Sequence, residues 1–192
     1  MLNFNNKFRA LLTLMPALYL MSGQVQAATV SLNPLAQNVA LGDQVSLQLN
    51  MDFSGDPTLG GGIDILYNGS LLNFVSFTFN SVLGDDPSFR RQPDIQLNKL
   101  NGLAFGNFGG LSGPSVVGTL IFNTLGAGTV NLTLAENSLP AGGFFSAASF
   151  NPQVVTFTGA SVNVSAVPEP SKSLLLLGGL AVLIGMRKKM AV

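Results

Sequence analysis

Residues 44–51 read Q-V-S-L-Q-L-N-M, apolar and polar in strict alternation, with Val45, Leu47, Leu49 and Met51 on one side. A repeat of two places those four on one face of an extended chain, the pattern of a half-buried strand. Ile63, Ile65 and Tyr67 repeat it, with Asp64 and Leu66 opposite. Residues 74–79 (F-V-S-F-T-F) are aromatic and β-branched, as pleated surfaces prefer. Further strands are expected over 103–108, 116–122, 129–134 (T-V-N-L-T-L), 154–157 and 161–164. Turn chemistry separates them: Leu41-Gly42-Asp43, Gly55-Asp56-Pro57, Asn68-Gly69, Gly84-Asp85-Asp86-Pro87, Gly126-Ala127-Gly128 and Pro140-Ala141-Gly142-Gly143. Eight or so short strands, without a sustained 3.6-residue pattern, predict an all-β sandwich or barrel. One helical turn is expected near 68–72. The glycine-rich stretch 102–113 reads as loop and edge strand.

Both ends break this pattern. Residues 10–21 form an apolar run behind Lys7 and Arg9, followed by the small residues Ala27 and Ala28 at a cleavage-like position. Basic start, short apolar run and small-residue site predict a secretory signal peptide over 1–27. At the other end, Pro168-Glu169-Pro170 precedes 14 uncharged residues, 173–186, and then Arg187-Lys188-Lys189. As a helix at about 1.5 Å per residue that run reaches ~21 Å, short of a ~30 Å hydrocarbon core. The basic cluster suits a segment whose C-terminus stays inside. The chain therefore divides into 1–27, a sandwich over 28–165, and a tail over 166–192.

Composition then limits the chemistry. The 192 residues include no Cys, His or Trp, and only 9% are charged. Residues 28–165 carry eight acids (Asp43, Asp52, Asp56, Asp64, Asp85, Asp86, Asp94, Glu136) against Arg90, Arg91 and Lys99, a net of −5. Such a domain is a poor nucleic-acid binder, because phosphate contacts need a clustered positive face. Without His or Cys, the usual catalytic base, thiol chemistry and thiolate zinc sites are missing. No Gly-x-Ser-x-Gly elbow occurs in 28–165, and the glycine clusters lack the Lys-Ser/Thr of a phosphate loop. Close strand approach or bulges account for those glycines better.

Three groups of residues remain as candidates. Asp85, Asp86 and Glu136 could serve a glycan-active enzyme built on carboxylates, although Asp-Asp-Pro is ordinary turn chemistry. Asp52, Asp56, Asp64, Asp85, Asp86 and Asp94 are oxygen ligands for a structural calcium, without a recognised calcium loop. No other metal or cofactor is expected. Among the aromatics, Phe105, Phe108, Phe144 and Phe145 fall in glycine-rich stretches and are the candidates for surface or glycan contact.

Taken as ordered blocks, residues 30–49 (V-S-L-N-P-L-A-Q-N-V-A-L-G-D-Q-V-S-L-Q-L), 61–77 (G-G-I-D-I-L-Y-N-G-S-L-L-N-F-V-S-F), 118–134 and 159–164 resemble a cohesin-type domain. The resemblance implies a nine-stranded jelly-roll sandwich related to carbohydrate-binding-module sandwiches, over about 29–165. No dockerin-contacting residues carry over from it. The tail resembles the PEP-CTERM sorting signal in order, spacing and position. That resemblance implies an exosortase-type membrane protease acting near the triplet, with signal peptidase acting at the other end. It also implies transient anchoring in the inner membrane of a Gram-negative, exopolysaccharide-making bacterium, then release to the cell surface or beyond. The expected function is a non-enzymatic surface or matrix protein for adhesion or protein interaction. Direct binding of matrix exopolysaccharide and the carboxylate enzyme stay open as alternatives.

Overall fold

The computed structural model describes residues 27–83, 87–167 and 176. The body of the expected signal peptide, Asp85 and Asp86, Pro168-Glu169-Pro170, the apolar tail beyond them and Arg187, Lys188 and Lys189 lie outside the described residues. Of the expected cleavage pair, Ala27 is exposed and Ala28 opens the first strand.

Among the described residues twelve strand segments form two sheets. They are β1 (Ala28–Asn33), β2 (Ala36–Ala40), β3 (Gln44–Asp52), β4 (Thr58–Leu66), β5 (Leu72–Phe79), β6 (Asp94–Gln96), β7 (Lys99–Leu111), β8 (Ser115–Thr124), β9 (Gly128–Glu136), β10 (Phe145–Ser146), β11 (Val155–Thr158) and β12 (Ala160–Ser165). One sheet has the order β11-β1-β3-β8-β5; the other runs β2-β12-β9-β4-β7-β6, with β10 against β4. Two pairs of segments cross from sheet to sheet with hardly a break: β1 into β2 at Pro34, and β11 into β12 at Gly159. The crossing strands accompany each other, β1 parallel to β11 and β2 parallel to β12. All other strand pairings are antiparallel, with both sheets facing one core, the all-β jelly-roll architecture expected.

The alternation read from the sequence is what fills that core. Val45, Leu47, Leu49 and Met51 of β3 point inward with Ile63, Ile65 and Tyr67, while Leu66 is exposed. Phe122 sits between Tyr67 and Phe74, ring centroids 5.2 and 5.6 Å away, both edge-on. The expected helical turn is present: the amides of Leu71 and Leu72 donate to the Asn68 carbonyl at 3.1 and 3.0 Å. Asn68 Oδ1 takes the Ser70 amide at 2.9 Å.

One expectation changes. The glycine-rich stretch is mostly β7, a 13-residue strand paired along β4 and, at its start, along β6. Leu100, Leu103 and Phe105 face the core, so Gly102, Gly106 and Gly110 occupy outward positions and the glycines do not end the strand. Gly60 of β4 lies opposite Gly106. A β-carbon at Gly60 would stand 2.2 Å from the Phe105 carbonyl oxygen, so the two strands fit together only without side chains there.

Candidate binding groove

The absence of side chains at Gly60 and Gly106 leaves a trough on the outer face of the second sheet. Its floor is Gly60, Gly61, Ala104, Phe105 and Gly106, and its volume is about 390 Å³, within the range that holds small ligands or peptide side chains. One wall is the 3₁₀ turn Pro87–Phe89 with Arg90 and Arg91; the other is Pro140 to Gly143, with Phe145 at the rim.

Each wall is tied to the sheet. Arg91 and Ala104 exchange backbone hydrogen bonds at 2.9 and 3.1 Å, fixing the arginine wall against β7. The opposite wall hangs on Asn137, which is buried beyond the end of β9. The Asn137 amide donates to the Gly62 carbonyl at 2.9 Å, and its Oδ1 accepts from the Ala141 amide at 2.9 Å. Gly62 N in turn donates to the Gly142 carbonyl at 2.8 Å. Behind this wall lies the domain's charged centre: Asp64 takes the Gly102 amide at 3.0 Å, Asn137 Nδ2 at 2.8 Å and Lys99 Nζ at 2.7 Å. A carboxylate carrying an ammonium and two N–H donors can sit nearly out of water. It holds the bulge at Gly102 and the loop beyond β9 together.

The arginines are arranged differently. Arg91 Nη2 pairs with Asp94 at 2.7 Å in a solvent-exposed contact. Arg90 lies over the Phe79 ring, its guanidinium carbon 5.9 Å from the centroid, at the outer limit of cation–π attraction. Its Nε and Nη2 are enclosed without an acceptor among the described residues, as is Nε of Arg91. Of the three basic residues in 28–165, Lys99 is engaged by Asp64 and the other two line this groove.

The four candidate aromatics divide evenly. Phe105 and Phe144 are not surface residues: they are 2% and 1% exposed, and Phe144 stacks on Phe53 and meets Phe105 and Phe157. Phe105 follows the inward register of β7, and Gly61 has no side chain where the Phe144 ring enters. Phe108 is 81% exposed and packs edge-on against Phe89 of the groove wall, with centroids 4.5 Å apart. Phe145 is 41% exposed at the groove rim. Sequence reasoning missed Phe89, Arg90 and Arg91; the signal available was that Arg90-Arg91 is the one adjacent basic pair between 28 and 165.

The carboxylates among the described residues make structural contacts. Glu136 Oε1 accepts from the Phe144 amide at 3.2 Å. Asp56 accepts from Ser146 Oγ at 2.7 Å, Asp52 from the amide and hydroxyl of Ser54, and Asp43 from the Ala40 amide at 3.2 Å. Among the described residues no three acidic, His or Cys side chains gather as a metal would need.

The chain matches no protein-family model and no curated protein sequence. Its fold is similar to those of solved cohesins. The seventh ScaB type I cohesin of Pseudobacteroides cellulosolvens is 13% identical, with 76% of this chain covering 96% of that one at a TM-score of 0.61. The sixth cohesin of scaffoldin B of Acetivibrio cellulolyticus, solved in complex with a Cel5 dockerin, is 17% identical, covering 73% and 100% at 0.58. CaCohA2 of Clostridium acetobutylicum is 14% identical, covering 73% and 92% at 0.60. At these identities the similarity is one of fold.

Proposed function

We propose that the chain is an exported, non-enzymatic surface or matrix protein whose sandwich holds another protein. On this reading the tail is a PEP-CTERM-type signal, and an exosortase-type protease hands the domain from the inner membrane to the surface of an exopolysaccharide-making cell. The observation that carries the protein-holding part is the outer face of the second sheet. It presents a walled groove with exposed Phe145 at its rim and Phe108 packed on its wall, beside Arg90 and Arg91, and among the described residues no carboxylate lines it. The cohesins of similar fold solved together with a dockerin support the same reading. The sorting part rests on the order of Pro168-Glu169-Pro170, apolar run and Arg187-Lys188-Lys189.

The two parts are tested separately. In a host with an exosortase, the wild-type chain should reach the surface or medium, and a P168A/E169A/P170A variant should stay with the inner membrane. Identical distribution of the two removes the sorting claim. For the sandwich, calorimetry of the exported protein against the producer's own polysaccharide should give no binding heat. Saturable heat would move the function to glycan holding.

A further inference from the structure

We infer that the groove is an anchor for an acidic side chain, Asp or Glu, on an extended segment of the partner protein, with Arg90 as its receptor. This rests on the protein-holding reading and names the chemistry of that contact. Nε and Nη2 lie on the same edge of a guanidinium and form the fork that grips a carboxylate with two parallel hydrogen bonds. In Arg90 those are the two atoms enclosed without an acceptor among the described residues. A charged donor left in that condition is costly; these atoms are closed to solvent with the guanidinium over the Phe79 ring, so a carboxylate at the groove draws the guanidinium outward and then satisfies both N–H groups at once.

Charge placement points the same way. Residues 28–165 are net acidic, Arg91 is paired with Asp94 and Lys99 with Asp64, so Arg90 is the basic residue left without a carboxylate partner among the described residues. The remaining lining favours peptide over sugar. The floor at Gly60, Ala104 and Gly106 carries at most a methyl group, and Ser88 is the one uncharged polar side chain among the described lining residues. A saccharide needs many polar side chains for its hydroxyls. An extended backbone needs close approach, an apolar rim such as Phe89 and Phe145, and one charge anchor.

The groove also lies at the free end of the domain. β12 leaves the sandwich at Ser165, with Val164 paired to Gly128 at the start of β9. The eight-residue step from Gly128 to Glu136 along β9 spans roughly 27 Å before the groove begins. Whatever follows residue 167 starts from the opposite pole.

The test is fluorescence anisotropy of the full chain in detergent with two labelled peptides, Ala-Phe-Ala-Glu-Ala-Phe and its Glu→Gln twin, and with a labelled oligoglucuronate. The Glu peptide should bind roughly tenfold tighter than the Gln peptide, weaken with salt, and lose about tenfold on Arg90→Leu. Arg90→Lys should recover only part of that loss, because an ammonium keeps the charge and not the fork. Equal binding of the two peptides, no effect of Arg90→Leu, or binding of the oligoglucuronate alone overturns the proposal. So does Glu-peptide binding that appears only in a D85N/D86N variant, which would make the chain's own acids the acceptor. Surface cross-linking of wild type and Arg90→Leu in the producing cell separates the two readings. An identical cross-linked protein in both defeats the groove anchor and leaves protein holding intact; glycan heat in calorimetry defeats protein holding itself.

Discussion

Gly60 and Gly106 face each other across the β4–β7 ladder, and neither has room for a β-carbon. At Gly106 that carbon would come within 2.5 Å of the Leu59 carbonyl oxygen, and Gly60 in addition holds φ at +120°. Gly60→Ala combines overpacking with a forbidden backbone angle and should destabilise by about 3 kcal/mol. Gly42, at φ +98°, has nothing within 4 Å of the corresponding position. Gly42→Ala should therefore cost only the backbone term, about 1 kcal/mol. Urea midpoints of the two variants decide it, and equal losses would mean the β4–β7 contact is not tight.

Asp64 is the acceptor on which the bulge and the groove wall converge. Asp64→Ala removes the acceptor of the Gly102 amide and the nearer of two acceptors of Asn137 Nδ2, and should cost about 3 kcal/mol. Lys99→Met should cost only about 1 kcal/mol, because the Lys99 side chain is 32% exposed and Asp64 keeps two N–H donors. Denaturant unfolding gives both numbers. A Lys99 variant as damaged as the Asp64 variant would show that the ion pair, and not the N–H donors, holds this corner.

How far the sequence could be read depended on whether an element carries its own partner. Val45, Leu47, Leu49 and Met51 show their strand without help, because one face of it is core. Gly60 to Gly62 are legible as a place of close strand approach, but not the strand they approach, because a glycine's reason for being there is the strand opposite, far along the chain. The adjacent pair Phe144-Phe145 is ambiguous for a related reason. Neighbours on an extended chain face opposite ways, but which one is inside is set by the empty position at Gly61. Arg90 and Arg91 were visible as a basic pair; their place beside Pro140 to Gly143 comes from two backbone bonds to Ala104 and from the Asn137 network.

Phe144 and Phe108 give the sharpest contrast among the aromatics. Phe144→Ala removes a ring packed among Phe53, Phe105 and Phe157 and should cost about 3–5 kcal/mol. Phe108→Ala removes an exposed ring whose aromatic neighbour is Phe89, and should cost under about 1 kcal/mol. Thermal unfolding should show Phe108→Ala melting close to wild type. A Phe144 variant that melts there too would return Phe144 to the surface.

Tyr67 supplies a pH dependence with a definite sign. Its ring is 7% exposed, packed edge-on to Phe122, and its hydroxyl donates to the Gln96 carbonyl at 3.4 Å. Burial disfavours the phenolate and raises the pKa above the ordinary value of 10.0. The unfolded chain therefore gives up this proton at lower pH than the folded one. The stability the neutral phenol contributes is complete below pH 10 and drains away as pH rises through the folded value. Urea midpoints between pH 8 and 11 should fall faster for wild type than for Tyr67→Phe, with the two curves separating only at the alkaline end. Curves that stay parallel throughout would mean that the phenol ionises as readily folded as unfolded, and that the Tyr67 hydroxyl reaches water.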